Sequence, residues 1–371
     1  MNRYLENQII TDLEKKMVLL AGPRQSGKTS LARQIIRSDE SRYFNWDDDF
    51  QKESILKRQF PHTPGYIVLD EIHKYARWRN WLKGFYDTNN GRYKILVTGS
   101  AKLDFYRKGG DSLQGRYNFI RLHPLSLKEI SSGLKKDLEL LLKYGPFPEP
   151  FLSQSEVEAR RWSRQYRSRI IREELLSLEK VSEVSLLEQL MMRLPDLVGA
   201  PLSVNSLTSE LQISQPTLSR WIELLERIYA IFRVYPFGAP KIRAIRKAAK
   251  HYHFDWNIIE QPGPRFENLI ASHLLKWCQF IEDTQGHDME LRYFRDTDQR
   301  EVDFVVIKNR KPVLAVEAKL SDKQCSKDLI YLKHKFPELE CVQVVLQMDE
   351  DILNSHKIRI CGAHLLLREL V

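Results

Sequence analysis

The chain has 371 residues, too many for one ordinary core at roughly 150 per domain, so two or three domains are expected. Hydrophobic residues at 42% and charged residues at 29% exclude a disordered or low-complexity chain, and no stretch approaches the ~20 apolar residues of a membrane span. Four scattered cysteines, Cys278, Cys325, Cys341 and Cys361, exclude a zinc ribbon or disulfide framework, so a soluble cytoplasmic protein without a membrane partner is expected. A formal charge of +9 favours a polyanionic partner, although lysines dispersed over solvated helices give the same balance.

The first predicted strand, Met17 to Ala21, runs into Gly22-Pro23-Arg24-Gln25-Ser26-Gly27-Lys28-Thr29 and then a helical run. That is the strand, GxxxxGK[ST], helix order a P-loop requires. Glycines let backbone N–H groups face phosphate oxygens, and the helix N-terminus adds partial positive charge. Lys28 is placed to reach the β- and γ-phosphates of ATP, and Thr29 to offer a hydroxyl to Mg²⁺. The next strand, Gly65 to Asp70, is apolar along its length and ends in Asp70-Glu71. Adjacent residues of a strand point opposite ways, so Asp70 is assigned to the Mg²⁺ shell and Glu71 to the attacking water. A third strand, Lys94 to Thr98, leads to Gly99 and Ser100, and Ser100 is assigned to sensing the γ-phosphate. In Leu113-Gln-Gly-Arg116, Arg116 is a candidate for stabilising transition-state charge in a neighbouring subunit, which would make the protein at least a dimer; an ordinary surface pairing is the alternative.

The segments GPRQSGKT, VLDEIH, VTGSAKLDF, LQGR and LHPLSLKEI, in that order, resemble a widespread prokaryotic family of AAA+ type P-loop ATPases whose C-terminal half carries a domain of unknown function. PFPEPF, REVDF and EAK also resemble landmarks of that family, so the likeness runs over nearly the whole chain. It implies ATP and Mg²⁺ at the P-loop.

Past Leu125 the pattern turns helical. In the run EVEARRWSRQYRSRIIREELL, a spacing of 100° per residue places Trp162, Tyr166 and Ile170 on one face and Arg160, Arg164 and Arg167 on the other. Those guanidiniums could follow a phosphate backbone, or form a solvated face balanced by Glu156, Glu158 and Glu173. SVNSLTSELQISQPTLSRWIELLERIYAIFRVYPF fits a winged helix-turn-helix. Leu207 and Leu211 mark a first helix, Ile213 the turn, Ser214 a cap, and Leu218, Ile222 and Leu225 the buried stripe of a second. Gln215, Thr217, Ser219 and Arg220 would be its exposed, DNA-facing side. Lys241, Arg243, Arg246, Lys247 and Lys250 follow as a basic patch.

REVDFVVIKNRKPVLAVEAKL, residues 300–320, reads as two strands around a turn. Even positions Val302, Phe304, Val306, Leu314, Val316, Ala318 and Leu320 are apolar. Odd positions are apolar near the turn, but Asp303, Glu317 and Lys319 are charged farther out, which suggests a covered sheet with a polar cleft at its edge. Asp with Glu-x-Lys resembles the PD-(D/E)xK nuclease fold. In that arrangement Asp303 and Glu317 would gather a second Mg²⁺ or Mn²⁺, Lys319 would stabilise the attacking water or phosphorane charge, and Glu267 on an upstream helix would add another acid. Asp303 can face Glu317 only if the register allows it: a two-residue turn at Asn309-Arg310 turns them to opposite faces unless a bulge intervenes. An odd loop is therefore expected, with Lys308 opposite Pro312 or Ile307 opposite Val313.

The resulting expectation is an α/β multidomain protein: a parallel-sheet P-loop NTPase core (1–125), a helical extension (126–197), a winged helix-turn-helix (198–240) and a mixed-sheet restriction-endonuclease-like domain (241–371). The expected function is an ATPase that interacts with DNA, with metal-dependent cleavage left open. The alternative is a nucleotide-dependent switch or signalling scaffold whose nuclease-like domain is a non-catalytic binding platform.

Overall fold

Five apolar runs of the N-terminal third become strands: β1 (Met17–Ala21), β2 (Tyr43–Asn45), β3 (Gly65–Asp70), β4 (Tyr93–Thr98) and β5 (Tyr117–Arg121). The computed structural model describes residues 2–89, 91–99, 113–130, 134–175, 183–238 and 249–371. Ser100 and the basic residues Lys241, Arg243, Arg246 and Lys247 lie outside the described residues. Contacts divide the chain into two units, Met1–Pro124 with Arg227–Tyr229, and Leu125–Glu226 with Ala230–Val371.

In the first unit the strands are all parallel, in the order β2-β3-β4-β1-β5. Parallel neighbours need crossover connections, and the helices Lys28–Ile35 and Trp78–Asn89 serve two of them. Every residue of β1 is buried, as a strand covered on both faces demands. Leu19, Leu69, Ile95 and Val97 pack with Trp78, Leu82 and Phe85 in one core. Because β4 lies between β1 and β3, the ends of all three strands open at one edge of the sheet.

In the second unit the helix Glu156–Arg169 buries Trp162 and Tyr166 as its periodicity requires, both against Phe147, with ring centroids 4.7 and 4.8 Å away. The helices Val204–Leu211 and Gln215–Arg227 are joined by a tight turn in which Gln212 takes a left-handed conformation. Ser203 caps the first through Ser206 N–H, and Ser214 the second through Thr217 N–H. Leu207, Leu211, Leu218, Ile222 and Leu225 are all buried.

Strands β6 (Ile231–Pro236) and β7 (Lys250–His253) follow and pair antiparallel. They do not form a free-standing wing, because β6 also runs parallel to β8 (Met289–Arg295), at Tyr235 and Pro236. With β9 (Glu301–Lys308), β10 (Lys311–Lys319), β11 (Glu340–Val345), β12 (Asp351–Leu353) and β13 (Arg359–Gly362) they build one mixed sheet, ordered β12-β13-β11-β10-β9-β8-β6-β7. Phe304, Val305, Val306 and Ile307 are buried in succession, so both faces of this sheet are covered. The helix Lys327–Lys335 covers one of them, with Leu329 and Leu332 against Val305, Ile307 and Ala315.

The β9–β10 hairpin corrects the odd-loop expectation. Lys308 pairs with Lys311, so the loop is the two residues Asn309-Arg310, at φ 50° and 68°, the positive values a tight hairpin turn favours. Pro312 pairs with Ile307, but Leu314 pairs with Val306, so Val313 is a bulge. Beyond it Phe304 meets Val316, and the next step sets Asp303 across from Glu317. The bulge restores the register that an even loop would have lost.

Candidate functional site

The P-loop grows directly out of β1. Gly22 has φ 149° and a Cβ there would stand 2.2 Å from the Leu122 carbonyl oxygen, so only glycine fits. Gln25 and Gly27 also take left-handed conformations, and Gly27 opens the helix that carries Lys28 and Thr29. Lys28 is buried, its ammonium donating to the carbonyls of Gly22 (2.9 Å) and Pro23 (2.6 Å). The Ser26 hydroxyl is fully buried and meets no hydrogen-bond partner among the described residues, the type of donor that a phosphate oxygen satisfies.

Asp70 is the node of this site. Thr29 Oγ1 donates to its Oδ2 at 2.9 Å, Tyr43 Oη to the same oxygen at 2.5 Å, and Thr98 Oγ1 to Oδ1. Burial, and then the neighbouring Asp70, push the Tyr43 phenol above its ordinary range and keep it a donor. A hydroxyl and a carboxylate side by side match the oxygen donor set of Mg²⁺, and Thr29 and Asp70 would hold it.

Glu71 takes a left-handed conformation at the end of β3, φ 58°, with its amide donating to the Thr98 carbonyl at 3.0 Å. Its carboxylate lies 3.3 Å from Lys74 Nζ and 3.6 Å from His73 Nε2. Lys74 is held in turn by Asp47, 2.5 Å away. Burial alone would lower the Lys74 ammonium, but Asp47 and Glu71 outweigh it and raise it, so Glu71 faces a firmly charged lysine. Arg116 makes a two-pronged contact with Asp87, Nε to Oδ1 at 2.7 Å and Nη2 to Oδ2 at 3.0 Å.

The second unit brings Glu267, Asp303, Glu317 and Lys319 together. Asp303 Oδ2 accepts from Ala318 N–H at 2.9 Å, Glu317 Oε2 accepts from Asp303 N–H at 3.3 Å, and Lys319 Nζ lies 2.8 Å from Glu317 Oε1. Burial, then repulsion from Asp303, push Glu317 up to about 8 against the pull of Lys319. The same two causes push Glu267 up to about 7 against the pull of Lys250.

Lys250 is where the sequence reading fails. It ends the run read as a basic patch, but its side chain is 1% exposed and points into this cluster. Its Nζ lies 2.7 Å from Glu301 Oε1, 3.3 Å from Glu267 Oε1 and 3.7 Å from Asp303 Oδ1, over the Tyr293 ring. The missed signal is the alternation of Lys250-His-Tyr252-His, which marks a strand rather than a continuing basic run: Tyr252 Oη donates to the Glu267 oxygen that Lys250 also contacts. Glu301 was missed with it. Among the described residues no set of three His, Cys, Asp or Glu side chains has the geometry to hold a metal ion.

Elsewhere in that unit, Arg160 is paired with Glu156 at 3.4 Å and Arg161 with Glu158 at 2.9 Å. Gln215, Ser219 and Arg220 are exposed on their helix, and Thr217 is half-buried against Ser214.

Residues 14–131 match the family described as AAA domain, 135–260 a domain of unknown function (DUF8612), and 262–364 another (DUF4143). An uncharacterized protein of Mycobacterium tuberculosis is 23% identical over 66% of this chain, and the matched stretch spans only 55% of that protein. An uncharacterized protein of Methanocaldococcus jannaschii is 21% identical over 94% of this chain and 84% of its own. Among solved structures, the Aeropyrum pernix ORC1 protein in complex with DNA aligns at TM-score 0.36 and 13% identity, over 73% of this chain and 93% of that one. The match to the AAA domain thus falls on the parallel-sheet P-loop core, and an α/β mixed-sheet unit follows it.

Proposed function

We propose that the chain binds and hydrolyses ATP with Mg²⁺ at the P-loop, and that its second unit engages DNA under control of the nucleotide state. The observation that carries the first part is the Asp70 node, where Thr29 from the P-loop and Thr98 from β4 meet one carboxylate at the end of β3. Backbone N–H groups of residues 24–29 cradle the phosphates, Lys28 exchanges its carbonyl contacts for phosphate oxygens, and the buried Ser26 hydroxyl gains an acceptor. Mg²⁺, when bound, neutralises charge on the phosphate oxygens. Glu71 orients the attacking water, with the Lys74 ammonium 3.3 Å from its carboxylate. Ser100 reads the γ-phosphate, and Arg116 contributes in trans within a homo-oligomer.

DNA engagement is supported by the net charge of +9 and by a capped helix pair that exposes Gln215, Ser219 and Arg220. The test is ATP hydrolysis by the full chain with Lys28→Ala and Glu71→Gln as controls, together with DNA binding across a salt series. Lys28→Ala should lose nucleotide affinity. Glu71→Gln should keep it while turnover falls by about 10²–10⁴-fold. DNA affinity should fall steeply with salt and with charge reversal at Arg220, Lys241, Arg243, Arg246 and Lys247. Absence of binding at low salt would remove the DNA part and leave the ATPase part standing.

The second reading, in which the nuclease-like fold is a binding platform without cleavage, is favoured by one observation: the Lys250 ammonium among the carboxylates that a catalytic metal would need.

A further inference from the structure

Four carboxylates, Glu267, Glu301, Asp303 and Glu317, come from a helix and two strands of the second unit and are at most 29% exposed. Four acids this close together and at most partly exposed call for neutralisation by a cation or by protons. We propose that the ammonium of Lys250 is the resident cation of this pocket, standing where a divalent ion would stand, so that the native chain holds no metal there.

Three observations carry the proposal. The first is position: one Nζ meets oxygens of Glu301 and Asp303 on β9 and of Glu267 on the helix Pro262–Gln285. The second is distance. Two contacts of 2.7 and 3.3 Å are those of an N–H donor, and the third, 3.7 Å, is a charge contact. The third is anchorage. Lys250 is paired to Val234 on one side and bridged to Pro201 on the other, and the neighbouring Ala249 carbonyl accepts from Leu202 N–H at 2.9 Å. The side chain therefore springs from a fixed stretch of backbone.

The remaining valences of the pocket are met by the protein. Asp303 takes the Ala318 amide, Glu317 takes Lys319, Glu267 takes the Tyr252 hydroxyl, and Arg295 Nη1 lies 3.5 Å from Glu301 Oε2. Gly199 packs its backbone against Glu267, where a Cβ would be 2.8 Å from Oε2. A divalent ion entering this space would have to displace an ammonium that three acids hold in place against the cost of its burial. The inference is independent of ATP hydrolysis and of DNA binding, and it holds or fails whatever those assays return.

The experiment uses Mn²⁺ alone, without nucleotide, on the full chain carrying Asp70→Asn to silence the first unit. Bound ion is read from the loss of the free Mn²⁺ resonance. The chain with Lys250 intact should bind none at millimolar Mn²⁺. Lys250→Met, if native by circular dichroism, should gain a site at least about tenfold tighter, lost again when Asp303→Asn is added. A folded Lys250→Met that gains no affinity would overturn the proposal, as would an intact chain whose Mn²⁺ site disappears with Asp303→Asn. A second measurement needs no variant. Acetic anhydride labelling of the wild-type chain should leave Lys250 unmodified with and without Mn²⁺, and labelling that appears only on adding Mn²⁺ would show the ammonium expelled by metal and sink the idea.

Discussion

Tyr43 and Asp70 meet at 2.5 Å, and the oxygen they share also accepts from Thr29. A neutral phenol thus shapes a carboxylate whose proposed work is done with Mg²⁺. Tyr43→Phe removes one hydrogen bond to a buried charge and leaves those from Thr29 and Thr98 in place. The expected loss of stability is about 1.5–3 kcal/mol in urea unfolding, with ATP turnover reduced by less than about tenfold. Asp70→Ala should abolish turnover. If Tyr43→Phe did the same, the phenol would belong to the reacting groups rather than to their support.

Stability of the second unit should fall as pH rises. Glu267 and Glu317 ordinarily titrate near 4.5, but the folded chain holds their protons up to about 7 and about 8. The folded state therefore binds more protons than the unfolded state in that interval. Their contribution is fully present below about 4.5 and is lost as pH rises through 7 and 8. Urea midpoints measured across this range should decline, and Glu317→Gln, which cannot ionise, should flatten the upper part of the decline. An unchanged slope in that variant would mean the carboxylate is ionised throughout.

How much of this was legible beforehand depended on the range over which each signal acts. The P-loop and Asp70-Glu71 are local patterns, and the turn residues that identify them also build them. Tyr43 and Thr98 reach Asp70 only because the strand order places β2 and β4 on either side of β3, which residue spacing does not reveal. Lys250 misled for a different reason. A lysine ending a basic run reads as solvated, and what buries it is a set of acids far along the chain whose approach depends on the sheet. The helix-turn-helix stripe was readable because Leu218, Ile222 and Leu225 sit at helical spacing, whereas the sharing of β6 with β8 is a long-range pairing that no local pattern encodes.

Arg116 can be tested through its partner. Asp87 grips the guanidinium from both sides within one chain, so a role in a neighbouring subunit's hydrolysis needs Asp87 as its holder. Turnover per chain should then rise with protein concentration. Arg116→Ala should remove that rise, and Asp87→Asn should weaken it, since the guanidinium would keep its charge but lose its aim. Turnover independent of concentration, with Arg116→Ala harmless, would reduce the pair to a surface contact.

Val313 supplies the sharpest test of how the second pocket is assembled. Pro312 faces Ile307 and Leu314 faces Val306, so Val313 is the residue the ladder skips. Deleting it should leave a regular two-residue hairpin in which Leu314 still meets Val306 and Asp303 still lies across from Glu317. The cost is the packing of one half-buried side chain, about 1–2 kcal/mol by urea unfolding, with a native circular dichroism spectrum. Deleting Ala315 instead moves every later residue by one. Glu317 would then take the place of Val316 opposite Phe304, in the apolar core, and the chain should fail to fold. Equal damage from both deletions would show that the bulge itself, rather than the register it restores, holds the two carboxylates together.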